Sequence, residues 1–435
     1  MSNRGGLATA VAFALAAPGA AWATNGMNLE GYGAVAAGMG GAALAYDNGT
    51  AALMNNPATL GFMAQGHRID AAVGVLGPDV TSRADGAPSA ESRGTRYVMP
   101  AVGWARKQGR YTYGLAVFAQ GGMGTDYAAD SFLAMGSGDR VLSELGVGRV
   151  MAPLVFEVNE TLSVGGSVDF VWAGLDLMMA APGAQLGAMM SNPYDMYADP
   201  AMQGTLGSAQ WARIDFRDSN DFRGAAYSTG IAGKLGVAYR PTEALSFGAT
   251  YHSKTDLRDM EASNARLSAE GGFEEHGTIR VRDFQWPETY GVGAAYQAAR
   301  WMVAADVMRI HWADVMQDFR MSYASDSGGF DITMPQNWRN QTVYRVGGAY
   351  RATPRVTLRA GFNYGKNPIP DQDMNPLFPA TTERHYTAGL GYELSAAQTL
   401  NFALAYAPEV TRTNGQGVTV DHSQTNWQLM YSHRF

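Results

Sequence analysis

Seven histidines and no cysteine are the side chains from which a metal centre or a nucleophilic site would have to be built in this chain of 435 residues. His67, His252, His276, His311, His385, His422 and His433 stand far apart, without the short spacings that put ligands on one face of an element. Neither a metalloprotease helix motif nor a nucleophile elbow occurs. The sequence therefore offers no catalytic residue, no metal site and no cofactor, although a triad gathered from distant strands would leave no such trace. Two other groups have a chemistry of their own. Met178, Met179, Met189, Met190, Met196 and Met202 crowd the stretch 177–223 together with Trp211. Thioethers are flexible and polarizable, so such a surface adapts to varied apolar ligands; the same side chains could equally pack on one another as a lid. Asp199 followed by Pro200 predicts the start of a short helix in this stretch. Gly121, Gly122 and Gly124 follow an alternating segment, Arg110 to Phe118. Glycine there interrupts side-chain packing and permits a bulge, or simply opens an exterior loop.

Composition narrows the elements that position these groups. Charged residues are 16% of the chain, against about 25% in a typical soluble protein. Glycine numbers 53, and 46% of residues are hydrophobic. Beyond the first two dozen residues no apolar run reaches the roughly 18 residues of a membrane helix. Only four of the 32 cationic residues are lysines (Lys107, Lys234, Lys254, Lys366), and a net charge of −7 argues against nucleic acid as a partner. The amino terminus reads as an export signal over residues 1–23: a basic start at Arg4, an apolar stretch Leu7 to Ala17, and a small-x-small site at Ala21-Trp22-Ala23. An exported chain without helical spans is periplasmic, secreted or a membrane barrel.

The hydrophobic period selects the last. Tyr227, Thr229, Ile231, Gly233, Leu235, Val237 and Tyr239 alternate with Ser228, Gly230, Ala232, Lys234, Gly236, Ala238 and Arg240, the two-residue repeat of a strand. The pattern recurs at 245–252 and 356–364. Short turns near 107–109, 159–160, 241–243, 298–299, 353–354 and 396–397 alternate with long stretches at 82–93, 121–142, 177–223, 256–276, 312–340, 366–383 and 409–422. Such alternation marks the two sides of an outer-membrane barrel and predicts an all-β, 14-stranded antiparallel transmembrane β-barrel over residues 66–435. Residues 278–298 are taken as one strand with Pro287 at a bulge. In the last strand Trp427, Leu429, Tyr431, His433 and the terminal Phe435 share a face. This ending, Tyr431 and Phe435 above all, resembles the assembly signal read by the barrel-insertion machinery. A barrel this wide cannot be filled by its own side chains. Residues 24–65, rich in Gly and Ala with turn formers at Asp47-Asn48-Gly49 and Asn55-Asn56-Pro57, read as an N-terminal hatch plugging the lumen, or else as a flexible exported leader.

These residues carry a family resemblance. The segment Gly26 to Ala58, ending in Asn56-Pro57-Ala58, is similar to the hatch of the long-chain fatty acid outer-membrane transporter family, the FadL/TodX type. Trp286-Pro287-Glu288-Thr289-Tyr290-Gly291, His311-Trp312, Asn337-Trp338, Tyr344-Arg345-Val346-Gly347, Asn367-Pro368-Ile369-Pro370 and Gly389-Leu390-Gly391-Tyr392 resemble recurring stretches of it in order and spacing. Met27 stands where the family's pattern leads one to expect an aromatic residue. The resemblance implies a monomer in the bacterial outer membrane, surrounded by its lipid, that passes long-chain fatty acids or hydrocarbons by diffusion. It further implies a lateral exit at a kink in the third strand, which places Gly121, Gly122 and Gly124 at that exit and the methionine-rich stretch as an outer capture surface. The rival reading is a nonspecific porin for polar solutes, with an open lumen.

Overall fold

The computed structural model describes residues 24–191, 200–220 and 223–435. The export signal at 1–23 and Met196 lie outside them. Alternation along each strand is turned inside out relative to a soluble protein. Leu235 is 64% exposed while its neighbour Lys234 is 2% exposed, and the same holds for Phe247 and Tyr251 against Ser246 and Thr250. Apolar side chains outward and polar ones inward fit a wall with lipid outside. No helix is long and apolar enough to cross a membrane, which says nothing of strands.

The strands are β1 (Gly66–Arg83), β2 (Ala90–Glu91), β3 (Tyr97–Gln108), β4 (Tyr111–Tyr127), β5 (Val141–Glu157), β6 (Leu162–Ala181), β7 (Met190–Ser191) and β8 (Ala212–Phe216). There follow β9 (Ala226–Tyr239), β10 (Leu245–His252), β11 (Asp256–Leu257), β12 (Met260–Ala269), β13 (Phe273–Arg282), β14 (Thr289–Gln297) and β15 (Trp301–Ile310). The rest are β16 (Asp318–Ser325), β17 (Gly328–Pro335), β18 (Gln341–Arg351), β19 (Val356–Gly365), β20 (Arg384–Glu393), β21 (Gln398–Thr413) and β22 (Thr419–Arg434). All belong to one antiparallel sheet, and β22 pairs with β1 from Arg68↔Arg434 to Arg83↔Thr419, which closes it. The terminal Phe435 seals the seam: its backbone bonds to that of His67, and its ring stacks on the imidazole at 5.2 Å and 4°.

The expectation of fourteen strands in all is overturned: among the described residues the sheet has 22, and eight of them (β2, β7, β8, β11, β12, β13, β16 and β17) stand outside the ladder that closes from β1 round to β22. Stretches read as irregular loops are themselves strands. β8 lies between β6 and β12, β12 pairs with β13, β13 with β16, β16 with β17, and β17 with β7. Polar residues on these strands mimic loop composition, but backbone groups still need partners and find them in one another. Nor is 278–298 a single strand: β13 ends at Arg282 and β14 begins at Thr289. Asp283 between them has φ 54, a left-handed conformation that breaks the extended run.

Exposed aromatics on the outer face form two belts. Tyr290 and Tyr296 on β14, Tyr344 on β18, and Tyr386 and Tyr392 on β20 are exposed, Tyr350 on β18 is half-buried, and the two members of each pair stand six residues apart. Amphipathic rings sit at the two lipid–water boundaries, so β7, β8, β12, β13, β16 and β17 lie beyond the upper belt.

Residues 24–63 are almost wholly buried and touch strands on many sides. A short helix at Ala34–Ala37 lies by β20, β21 and β22, and the 3-10 helix Pro57–Phe62 by β5, β6 and β9. Gly40 and Gly41, at φ 67 and 81, turn the chain beneath β19; a Cβ on Gly41 would sit 1.8 Å from the Glu30 carbonyl.

Candidate functional site

Between β3 and β4 the ladder of the wall stops early. β3 and β4 pair from Gln108↔Tyr111 to Ala101↔Phe118, and no further. The first residues of β3, Tyr97 to Pro100, pair with β1 alone, while β4 continues beside β5 with a register shift between Ala119 and Gly121. Gln120 is the extra residue, a bulge that bends β4 away from β3. Gly121, Gly122 and Gly124 thus lie inside a strand that runs on to Tyr127, rather than opening a loop after Phe118. They line a cavity of about 610 Å³ that also touches Leu76, Val80, Met99, Met123 and Leu145, together with five arginines, Arg96 among them, and the carboxylates Asp126, Glu144 and Asp176. Side chains are excluded here for identifiable reasons: a Cβ on Gly121 would lie 2.1 Å from the Met27 carbonyl oxygen, and one on Gly124 would lie 2.7 Å from Tyr97 Oη.

The bulge is held from both ends by polar contacts. Tyr32 Oη donates to the Gln120 carbonyl at 2.6 Å, and Arg149 Nε donates to the Gln120 side-chain oxygen. Asn28 forms a backbone bridge with Gly121, and its Oδ1 accepts from Trp286 Nε1 at 2.8 Å. Arg149 also pairs with Asp169 at 2.9 Å, and Lys234 pairs with the same carboxylate, all three side chains being fully buried. Ser167 Oγ donates to Asp169 at 2.6 Å.

Immediately inside lies an apolar pocket bounded by Met27, Met123, Leu145, Leu175, Phe284, Met316, Phe319, Met334 and Phe378, with Gln336 and Asn375 as its polar groups. Its free volume is about 20 Å³, because four methionines fold into it. No charged side chain lines it among the described residues. Met123 and Leu145 border both this pocket and the cavity at the β3–β4 gap. The Trp312 ring packs edge-on against Trp286 and Trp338, centroids 5.7 and 5.1 Å apart, in the same cluster.

The N-terminal segment is fastened to the wall by polar bonds spread along its length. Asp306 Oδ2 accepts from the backbone N–H of Ala43 at 2.7 Å and of Leu44 at 3.2 Å, and Asp70 Oδ2 accepts from Thr50 N–H at 2.6 Å. Arg68 pairs with Asp47 at 2.7 Å. In the Asn56-Pro57-Ala58 motif, Asn56 caps the 3-10 helix by accepting from Ala58 N–H at 3.1 Å. Its amide donates to the carbonyls of Leu44 and Val237, at 2.8 and 3.0 Å. One side chain therefore ties the segment to itself and to β9.

The methionine-rich stretch is dispersed. Met178 and Met179 extend β6, Met189 ends the helix Gly183–Met189, and Met190 begins β7. Met179 is buried in the main core, Met189 and Met190 pack against that core, and Trp211 is half-buried between the helix Pro200–Ser208 and β8. Above them Arg266 pairs with Asp139 and with Asp215, the latter at 2.8 Å. The Arg266 hydrogen bond, followed by its charge, holds the Asp139 carboxyl below the usual carboxylate range. Sequence reasoning singled out the glycines and the Asn-Pro-Ala motif, and noted Met27 only as a departure from the family's pattern. It did not single out Asn28, Tyr32, Gln120, Phe284, Met316, Phe319 and Met334, which converge with Met27 from distant positions. Isolated apolar residues such as Phe284 and Phe319 amid polar neighbours were the one trace of them.

The profile of the outer membrane transport protein family OMPP1/FadL/TodX matches residues 10–430. The chain belongs to this family. Like its solved relatives, which are transport channels and not enzymes, this FadL/TodX member is a transport protein of the outer membrane with the family's barrel fold. The toluene transporter TodX of Pseudomonas putida superposes with a TM-score of 0.85 at 30% identity, over 94% of this chain and 99% of that one. The toluene transporter TbuX of Ralstonia pickettii gives 0.79 at 32%, over 94% and 99%. A FadL homologue of Pseudomonas aeruginosa shares the fold at 17% identity, TM-score 0.72, over 94% of this chain and all (100%) of that one. Outer membrane protein P1 of Haemophilus influenzae is 24% identical over 259 residues, 58% of this chain and 53% of that one. An uncharacterized protein of Chlorobium limicola is 58% identical over 62 residues, 14% of this chain and 30% of that one. The chain thus spans about half or less of the length of these two curated relatives.

Proposed function

We propose that this protein is a passive channel for neutral hydrocarbons of monoaromatic size, in which residues 24–65 act as the hatch. In this reading Met178, Met189, Met190 and Trp211 offer the outer capture surface, and the ligand leaves sideways where Gly121, Gly122 and Gly124 border the β3–β4 gap. The observation that carries it is the apolar pocket, bare of charge and sharing Met123 and Leu145 with the cavity at that gap. An uncharged lining gives a carboxylate nothing to replace its hydration, which favours hydrocarbon over fatty acid. The relatives TodX and TbuX are both described as toluene transporters. Burial is worth about 0.8 kcal/mol per carbon, so a seven-carbon ligand gains roughly 5 to 6 kcal/mol before association costs of about 4 kcal/mol or more. Binding is then weak, as a channel needs. Tyr431 and Phe435 serve as the assembly signal of a monomeric barrel.

The test is uptake of labelled toluene by cells expressing the protein. Met334→Trp, which fills the pocket, and deletion of Gln120, which removes the bulge, are each expected to reduce uptake at least tenfold while folded protein still reaches the membrane. Full uptake in both variants, or steady ionic conductance of the native protein in planar bilayers, would overturn the reading in favour of a porin.

A further inference from the structure

The opposite end of the lumen holds a second cavity, of about 470 Å³. Its walls are the ends of strands at the short-turn side, and its ceiling is formed by Val35, Tyr46, Asp47 and Asn48 of the N-terminal segment. Six guanidinium groups face it: Arg68, Arg240, Arg300, Arg351, Arg359 and Arg434. The carboxylates are half as many, Asp47, Glu243 and Glu393. Of the six arginines, Arg68 alone forms an ion pair among the described residues, with Asp47 and Asp70. Arg240 lies over the Phe62 ring at 3.7 Å, a cation–π contact. Arg359 is the telling case. Its Nη1 is buried and without a hydrogen-bond partner, and the guanidinium lies against bare backbone at Gly391, where a Cβ would come within 3.0 and 3.1 Å of its two terminal nitrogens. A buried guanidinium nitrogen with nothing to bind is costly, and an excess of arginines over carboxylates around one water-accessible hollow favours an anion.

We propose that the periplasmic mouth binds a small polyvalent oxyanion, phosphate or polycarboxylate, gripped by Arg359 and Arg351 and neutralised by the surrounding arginines. Guanidinium groups match such oxygens two at a time and strengthen when enclosed. The volume lies within the range of small-ligand sites. A bound anion rests against Tyr46 and Asp47, so occupancy from the periplasm bears directly on the underside of the N-terminal segment.

The experiment uses the full chain in a nonionic detergent at low, constant ionic strength. Binding of radiolabelled inorganic phosphate is measured by equilibrium dialysis, with citrate, acetate and chloride as competitors. One saturable phosphate site is expected, displaced by citrate and not by acetate or chloride at equal ionic strength. Arg359→Met and Arg351→Met should each weaken it at least tenfold, Arg96→Met at the other cavity should leave it unchanged, and Glu393→Gln should tighten it two- to fivefold. The last variant adds charge without removing a wall contact, so it reports even where an arginine variant fails to fold. Absence of saturable phosphate binding, competition by chloride equal to that by citrate, or affinities indifferent to Arg359 and Glu393 would overturn the proposal. Hydrocarbon uptake is not the readout, so failure here leaves the reading of the apolar pocket untouched, and the converse holds.

Discussion

Removing the Asp306 carboxylate should loosen the N-terminal segment at a defined point. Asp306 is buried on β15 and accepts the backbone N–H groups of Ala43 and Leu44. Hydrogen bonds to a charged acceptor contribute about 1.5 to 3 kcal/mol each. The second of these is long, so the pair together stabilises the docked segment by about 2 to 4 kcal/mol, and each 1.4 kcal/mol is a factor of ten. In Asp306→Ala the amides around residues 43–44 should therefore exchange with deuterium roughly 30- to 700-fold faster, while Thr50, held by Asp70, changes far less. Asp306→Asn keeps one acceptor oxygen and should fall between. Arg345 lies directly across the ladder from Asp306, and stranding its charge would also destabilise the fold. The double variant Asp306→Ala with Arg345→Met separates the two effects: protection stays lost if the hydrogen bonds matter, and returns if the stranded arginine was the cause. Unchanged exchange at 43–44 in Asp306→Ala would refute the assignment of this carboxylate as a fastening.

Asp169 compensates both Arg149 and Lys234 deep in the wall, so Asp169→Ala leaves two buried cations unpaired and should cost about 3 to 5 kcal/mol, read as a lower urea midpoint for loss of the compact electrophoretic form. Gly121→Ala brings a Cβ to 2.1 Å from the Met27 carbonyl, so the segment must withdraw by about an ångström or more to restore contact distance; a spin-label pair spanning Asn28 and β4 should lengthen, and an unaltered distance would contradict the close approach. Asp139 is held ionised by Arg266, so its contribution is present above its unfolded pKa of about 3.9 and disappears as pH falls through its lower folded value. Amides at 135–140 should thus lose protection selectively below about pH 4, and uniform protection down to pH 2 would be inconsistent with that pairing.

What could be read from the chain followed from its period. The two-residue repeat at 227–239 assigned the lipid-facing side chains of β9 correctly, since Ile231, Leu235, Val237 and Tyr239 are the exposed ones. The strand number could not be read, because at 256–276 and 312–340 residues beyond the lipid carry mixed polarity on both faces and their alternation fades, although the backbone pairs all the same. Pro287 misled for a related reason: extended chain on either side of it resembled one strand, whereas the break is made by Asp283. The glycines at 121–124 announced a local exception but not its partner, as nothing in β4 says that Met27 and Asn28 will approach it. The apolar pocket was the least legible feature, since its lining comes from positions 27, 123, 145, 284, 316, 319 and 334, each unremarkable in its own neighbourhood.

The six-residue spacing of the tyrosine belts has a consequence for where such a barrel can live. At about 3.4 Å per residue, the rings mark out roughly 20 Å along each strand, and less than that vertically once the strands tilt. A bilayer with long, saturated chains would have to thin around this protein at an energetic penalty, whereas the bacterial outer membrane is thinner than average. Short-chain phospholipids should therefore be the better host for reconstitution, and the chain carries in its aromatic rings a preference for one membrane of the cell over the other.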